Sequence, residues 1–149
     1  MNADFLILYT TGEFIMDLML KGSTALITGA SKGIGAGLAK VLAKEGCNLH
    51  LAARDGEAMQ TLAYDLKSKF DISIRVHEAD LSSSKSMQKL DQAAGDYDIL
   101  FNNAGDIPAG DIEEVSDEAI RAGFDLKVFG YITLLSLIHI SEPTRRRGI

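Results

Sequence analysis

The sequence predicts an α/β protein, a doubly wound parallel sheet truncated after about four strands, in the order 3-2-1-4. Three observations point there. Short apolar β-type runs alternate with segments whose apolar residues recur at helical spacing, giving β-α-β-α-β-α-β-α. The connections are short, and parallel neighbours need crossover helices, which are right-handed. Turns rich in glycine or asparagine follow the first and fourth β runs, and in such sheets ligands gather at the carboxyl ends of the strands.

The first strand is Thr24–Thr28. Ile34, Leu38, Val41 and Leu42 then recur at helical spacing, with Gly46 as the stop. Asn48–Ala53 is the second strand. Met59, Leu62, Ala63, Leu66 and Phe70 line one face of the second helix, and Ile72, Ile74 and Val76 alternate as the third strand. Ser82, Ser83 and Ser84 are cap candidates for a third helix carrying Met87, Leu90 and Ala94. Tyr97–Phe101 is the fourth strand. Ser116 caps a fourth helix whose apolar stripe is Ile120, Phe124, Val128 and Tyr131.

Composition bounds the function. The chain has 149 residues, Lys+Arg 15 against Asp+Glu 21, and a formal net charge of -6. That balance argues against a nucleic-acid binder, which needs a basic face for phosphates. A single cysteine, Cys47, excludes an internal disulfide framework and a Cys-cluster zinc site. It reads as a small buried hydrophobe, and His50 and His77 as structural strand residues. No metal site is expected. No apolar run approaches the roughly 18 residues of a membrane span, and the expected location is cytoplasmic. Residues 1–15 hold the apolar run Phe5–Tyr9 but no Lys or Arg. They fit a non-native or disordered extension ahead of Met16, or else an extra edge strand, better than a signal peptide.

The strongest motif is Thr28-Gly29-Ala30-Ser31-Lys32-Gly33-Ile34-Gly35. It follows a strand and opens a helix, the context of a dinucleotide-binding turn. Gly29 permits the tight turn, Gly33 lets backbone approach a pyrophosphate, and Gly35 permits close helix packing. Alone, the pattern fits a plain β-α turn equally well. Asn102-Asn103-Ala104-Gly105 after the fourth strand puts a second turn at the same crevice.

These two motifs, with Asp80-Leu81 after the third strand, resemble the classical short-chain dehydrogenase/reductase family over about residues 20–134. The resemblance implies a Rossmann-like fold. It implies hydride transfer between a nicotinamide cofactor and a small-molecule alcohol or carbonyl, and a homo-oligomeric parent. It assigns Gly29, Ser31, Gly33, Ile34 and Gly35 to the pyrophosphate and adenosine ribose. Asp80 would bind the adenine amino group beside Leu81, and Asn102, Ala104 and Gly105 would flank the adenosine side and ribose. The plain alternative for Asp80 is a helix cap or solvated acid.

An NAD site places an acid near the end of the second strand. Here Ala53 fills that slot and Arg54 follows, while Lys32 sits in the glycine turn. Two cations suit the 2′-phosphate of NADP, making NAD the less favoured cofactor. Both could instead be ordinary solvated charges.

The family's Tyr-x-x-x-Lys is missing. Four residues after Tyr9, Tyr64, Tyr97 and Tyr131 lie Glu13, Ser68, Phe101 and Leu135. The family's helical asparagine corresponds to Lys127, which either replaces its water-bridging role or points to solvent. Residues 135–149 depart from the pattern and resemble the in-frame translation of a transposase-type sequencing adapter. His139 as a metal ligand and Arg145–Arg147 as a phosphate patch are the weaker readings of that tail. The expected organisation is therefore a partial dinucleotide-binding domain over 16–134, catalytically incomplete, with a foreign tail. The alternatives are a non-catalytic NADP-binding sensor or interaction module, and, last, an enzyme using Lys127 unconventionally.

Overall fold

A computed structural model describes residues 18–105, 113 and 115–141, the last four by backbone alone. The predicted extension over 1–15 and most of the predicted foreign tail lie outside the described residues. The elements are β1 (Thr24–Thr28), α1 (Gly33–Lys44), β2 (Asn48–Ala53), α2 (Gly56–Lys67), β3 (Ile74–Glu78), α3 (Ser84–Ala94), β4 (Ile99–Phe101), α4 (Asp117–Phe124), a π-helical turn (Asp125–Gly130) and α5 (Tyr131–Ser141). The four strands form one parallel sheet in the order β3-β2-β1-β4, as the sequence predicts.

Both faces of the sheet are covered, so the central strands β1 and β2 are buried along nearly their whole length, while the edge strand β3 alternates and buries Ile74 alone. Ala25, Ile27, Leu49 and Leu51 pack with Ala39, Leu42, Met59 and Leu66 of α1 and α2. On the other face Leu26 and Ala52 join Met87, Leu90 and Ala94 of α3 and Leu134 of α5. Caps set the helix starts: Asp55, Ser83 and Ser116 accept from Ala58, Ser86 and Ala119 amides. Gly46 ends α1 at φ +78°, the left-handed conformation glycine adopts without penalty. Cys47 is buried, and its thiol donates to the Leu20 carbonyl at 3.3 Å.

The structure corrects three details. The fourth strand starts at Ile99, two residues later than predicted. In α1 the buried face is Gly35, Ala39, Leu42 and Ala43, whereas Ile34 and Val41 are exposed. The stripe predicted for the fourth helix is not its buried side. The π-helical turn rotates the chain, so Leu126, Gly130 and Leu134 approach the sheet and Phe124 and Val128 remain exposed.

His50 and His77 are adjacent across β2 and β3, with Nδ1 to Nε2 at 2.9 Å and stacked rings. Burial first, then His77 and Arg75, push His50 down to about 4. His77 is also lowered, by burial and Arg75. Both are therefore neutral in the folded state while the unfolded chain takes up protons below about 6.5. Stability is full above that value and falls as pH drops toward 4, by on the order of 2–3 kcal/mol. Urea midpoints at pH 7.5 and 4.5 measure the loss, and His50→Phe should flatten it. A midpoint of the parent chain that does not fall between those pH values contradicts the account.

Candidate functional site

Parallel pairing sets the site. Thr28 lies opposite Ala52 and Ala53 opposite Glu78, so the segments leaving β1, β2 and β3 emerge at one sheet edge. Beside them the Asn102–Gly105 turn leaves β4. These segments line a cleft of about 710 Å³, within the range of small-molecule and cofactor pockets. Its walls hold Gly29, Ser31, Lys32 and Ile34 after β1, Arg54 after β2, and Asp80 and Leu81 after β3. Asn103, Ala104 and Gly105 follow β4, and Ala119, Ala122 and Gly123 of α4 close one side.

The glycines shape this cleft. Gly29 takes φ +66°, and a Cβ there would lie 2.9 Å from the Ala104 Cα. Gly35 lies beneath, where a Cβ would overlap the Gly29 carbonyl and meet Asn103 Nδ2 at 2.7 Å. Gly33 takes φ +56° and faces open space. Lys32 occupies the N-cap of α1 and makes no side-chain cap hydrogen bond. The first-turn amides of α1, at the positive end of the helix dipole, thus have no side-chain cap competing for them.

Thr28 and Asn103 knit the two turns together. The Asn103 and Ala104 amides donate to Thr28 Oγ1 at 2.9 and 3.1 Å, and that hydroxyl donates to the Phe101 carbonyl at 3.2 Å. Asn103 Nδ2 donates to the Thr28 and Gly29 carbonyls at 3.2 and 3.3 Å. Sequence reasoning named Asn102, Ala104 and Gly105 but missed Asn103 and the Thr28 hydroxyl. Asn102 turns inward, and its buried Oδ1 has no hydrogen-bond partner among the described residues.

Asp80 Oδ1 accepts from the Ser82 hydroxyl at 2.8 Å and the Ser82 amide at 3.0 Å. These two bonds hold its carboxyl below the usual range, and Arg54 adds a smaller pull in the same direction. Its other oxygen has no hydrogen bond among the described residues. Lys32 and Arg54 are both exposed and both line the cleft, Arg54 directly after buried Ala53, the last residue of β2. The Lys127 side chain runs against Gly105: a Cβ on Gly105 would lie 2.6 Å from Lys127 Cε. Lys127 is exposed and stands at the rim rather than in the lining. Among the described residues, no group of three His, Cys, Asp or Glu could hold a metal, and no helix is long and apolar enough to cross a membrane.

A parallel sheet with a glycine turn opening a helix at its carboxyl edge is a dinucleotide-binding Rossmann architecture. The short chain dehydrogenase family model matches residues 23–143, and the chain belongs to that family. The match runs past Leu134, beyond the stretch whose motifs resemble the family. An uncharacterised oxidoreductase of Methylorubrum extorquens is 35% identical over 129 residues, 83% of this chain and 52% of that protein. An NADP-dependent 3-hydroxy acid dehydrogenase of Schizosaccharomyces pombe is 41% identical over 91 residues, 58% of this chain and 35% of that protein. The crystal structure of L-sorbose reductase from Gluconobacter frateurii, complexed with NADPH and L-sorbose, superposes with a TM-score of 0.79 at 30% identity. The superposition covers 87% of this chain and 51% of that one. The chain spans about half the length, or less, of the relatives it matches.

Proposed function

We propose that the cleft binds NADP(H), and that the parent enzyme transfers hydride between it and an alcohol/carbonyl pair. The observation that carries this is that two cations, Lys32 and Arg54, line the cleft, and that β2 finishes in Ala53 instead of an acid. The NADPH complex of L-sorbose reductase and the NADP-dependent 3-hydroxy acid dehydrogenase among the relatives agree with it. The cradle fits a dinucleotide: Gly29 leaves backbone room above Ala104, and the α1 amides are uncapped by side chains. When bound, the nicotinamide supplies the hydride acceptor or donor. Ser31, Gly33, Ile34 and Gly35 offer the turn and helix end to pyrophosphate and ribose. Asp80 keeps an ionised oxygen for the adenine amino group beside Leu81. Ala104 and Gly105 bound the ribose side, while Asn102, which turns inward, stands behind them and outside the cleft lining.

The chain's own residues include no Tyr-x-x-x-Lys, so no proton relay of the family's kind is assigned, and the chain alone is inactive. That absence equally suits a non-catalytic NADP-binding sensor. Lys127, with its stem along Gly105, is the one family active-site position present, and it carries a lysine there. The residues from 135 onward are proposed to be adapter-derived; a genomic read across Leu134 encoding the same tail would remove that proposal. A homo-oligomeric, cytoplasmic parent acting on a small molecule, without nucleic-acid or membrane partners, completes the assignment. Exposed Phe124, Val128 and Ile132 on successive turns of one helical stretch support self-association.

Arg54→Ala and Lys32→Ala test the cofactor assignment. Losing a charge-assisted contact to phosphate should weaken NADPH binding about tenfold to a hundredfold and leave NADH within about twofold. Fluorescence titration reads both. An unchanged NADPH-to-NADH ratio in both variants sinks the NADP preference.

A further inference from the structure

We infer that Tyr131 is a positioning residue that aims the Gly105 amide into the nucleotide cleft; this rests on the cofactor reading above. Tyr131 opens α5, one helical turn beyond Lys127. Its hydroxyl donates to the Ala104 carbonyl at 2.8 Å, across 27 residues of sequence. Burial pushes that hydroxyl up from its ordinary value, so it stays a protonated donor at neutral pH.

The consequence follows from peptide geometry. The described chain has no cis peptide bonds. In a planar trans peptide, the C=O of one residue and the N–H of the next point in opposite directions. The Ala104 carbonyl points to Tyr131, on the inner side where Tyr131, Leu126, Leu134, Asn102 and Thr28 close around a gap with no room for water. The Gly105 N–H of the same peptide therefore points away from that gap, toward the cleft that Ala104 and Gly105 line. It has no acceptor among the described residues. The Ala104 amide is already held by Thr28 Oγ1, so the hydroxyl of Tyr131 fixes the remaining rotation of the turn. The π-helical turn between α4 and α5 brings both anchors to bear, Lys127 against Gly105 and Tyr131 against Ala104. The ligand atom this amide would take is an oxygen acceptor of the dinucleotide, a ribose hydroxyl or phosphate oxygen.

The experiment is an NMR titration of the full 149-residue chain, labelled with [15N]glycine, with NADPH. The chain has 14 glycines, so the amide spectrum is sparse. In the parent chain the amides of Gly33, Gly35 and Gly105 should all move, with Gly105 shifting downfield as it gains an acceptor. In Tyr131→Phe the Gly33 and Gly35 amides should still respond. The Gly105 shift should vanish, and NADPH affinity should fall by about threefold to tenfold, the worth of one hydrogen bond. Leu134→Ala loosens the same packing without touching the hydroxyl, and should lower the denaturation midpoint while keeping the Gly105 shift. A Gly105 shift that persists in Tyr131→Phe overturns the inference, as does its loss in Leu134→Ala. If no glycine amide of the parent chain responds to saturating NADPH, the cofactor reading falls and takes this one with it.

Discussion

Thr28→Val is expected to lower the unfolding free energy by about 3 kcal/mol, a large share of the ordinary margin of roughly 5–15 kcal/mol. The substitution keeps the shape and removes only the hydroxyl. Thr28 is fully buried, and its Oγ1 meets three backbone groups: the Asn103 and Ala104 amides and the Phe101 carbonyl. Valine leaves two donors and an acceptor inside the protein, at about 1–3 kcal/mol for each group that finds no other partner. Thr28→Ser restores the oxygen and should recover most of the loss. Urea unfolding monitored by far-UV circular dichroism measures both. A valine variant within about 1 kcal/mol of the parent would show that the hydroxyl does not tie β1 to the β4 turn.

Gly35→Ala should be at least as damaging, by about 3 kcal/mol or more, and should abolish nucleotide binding. The added methyl has nowhere to go. It meets the Gly29 carbonyl oxygen, the Gly29 carbonyl carbon at 2.8 Å and Asn103 Nδ2 at 2.7 Å. Two of these are backbone atoms, so relief requires α1 to back away from the turn it stands on. That movement breaks the Asn103 bond to Gly29 as well. Gly37, two residues along the same helix, has nothing within 4 Å of its Cβ position. Gly37→Ala should stabilise by about 0.5–1 kcal/mol through helix propensity alone. Thermal melts of the two variants separate close approach from conformational freedom. Equal effects in both would contradict it.

Much of this architecture was legible in the chain. Strand order follows from alternation and handed crossovers, and the Gly29–Gly35 turn and Ser116 cap announce themselves by type and spacing. What was not legible has a common cause. Apolar periodicity says which residues share a helix face, not which face meets the sheet. Phe124 and Val128 therefore looked like core, and the π-helical turn that rotates them outward leaves no periodic mark. Tyr131 falls on that stripe by spacing, although its contribution is a hydroxyl reaching Ala104. Thr28 and Asn103 act on each other across 75 residues, a pairing that strand register alone reveals. The tautomer-sharing contact of His50 and His77 was hidden for the same reason, since each sits in an unremarkable strand. The departure at Lys127 was visible at once, but only the structure shows its stem laid along Gly105.

The most direct test of the central claim, that this cleft is an NADP(H) site, is equilibrium titration of the unaltered chain with NADPH and NADH side by side. The account predicts saturable binding of NADPH at least about tenfold tighter than NADH, the difference one charge-assisted phosphate contact supplies. Equal affinity for the two would contradict the role given to Lys32 and Arg54, and binding of neither by a folded chain would contradict the site itself.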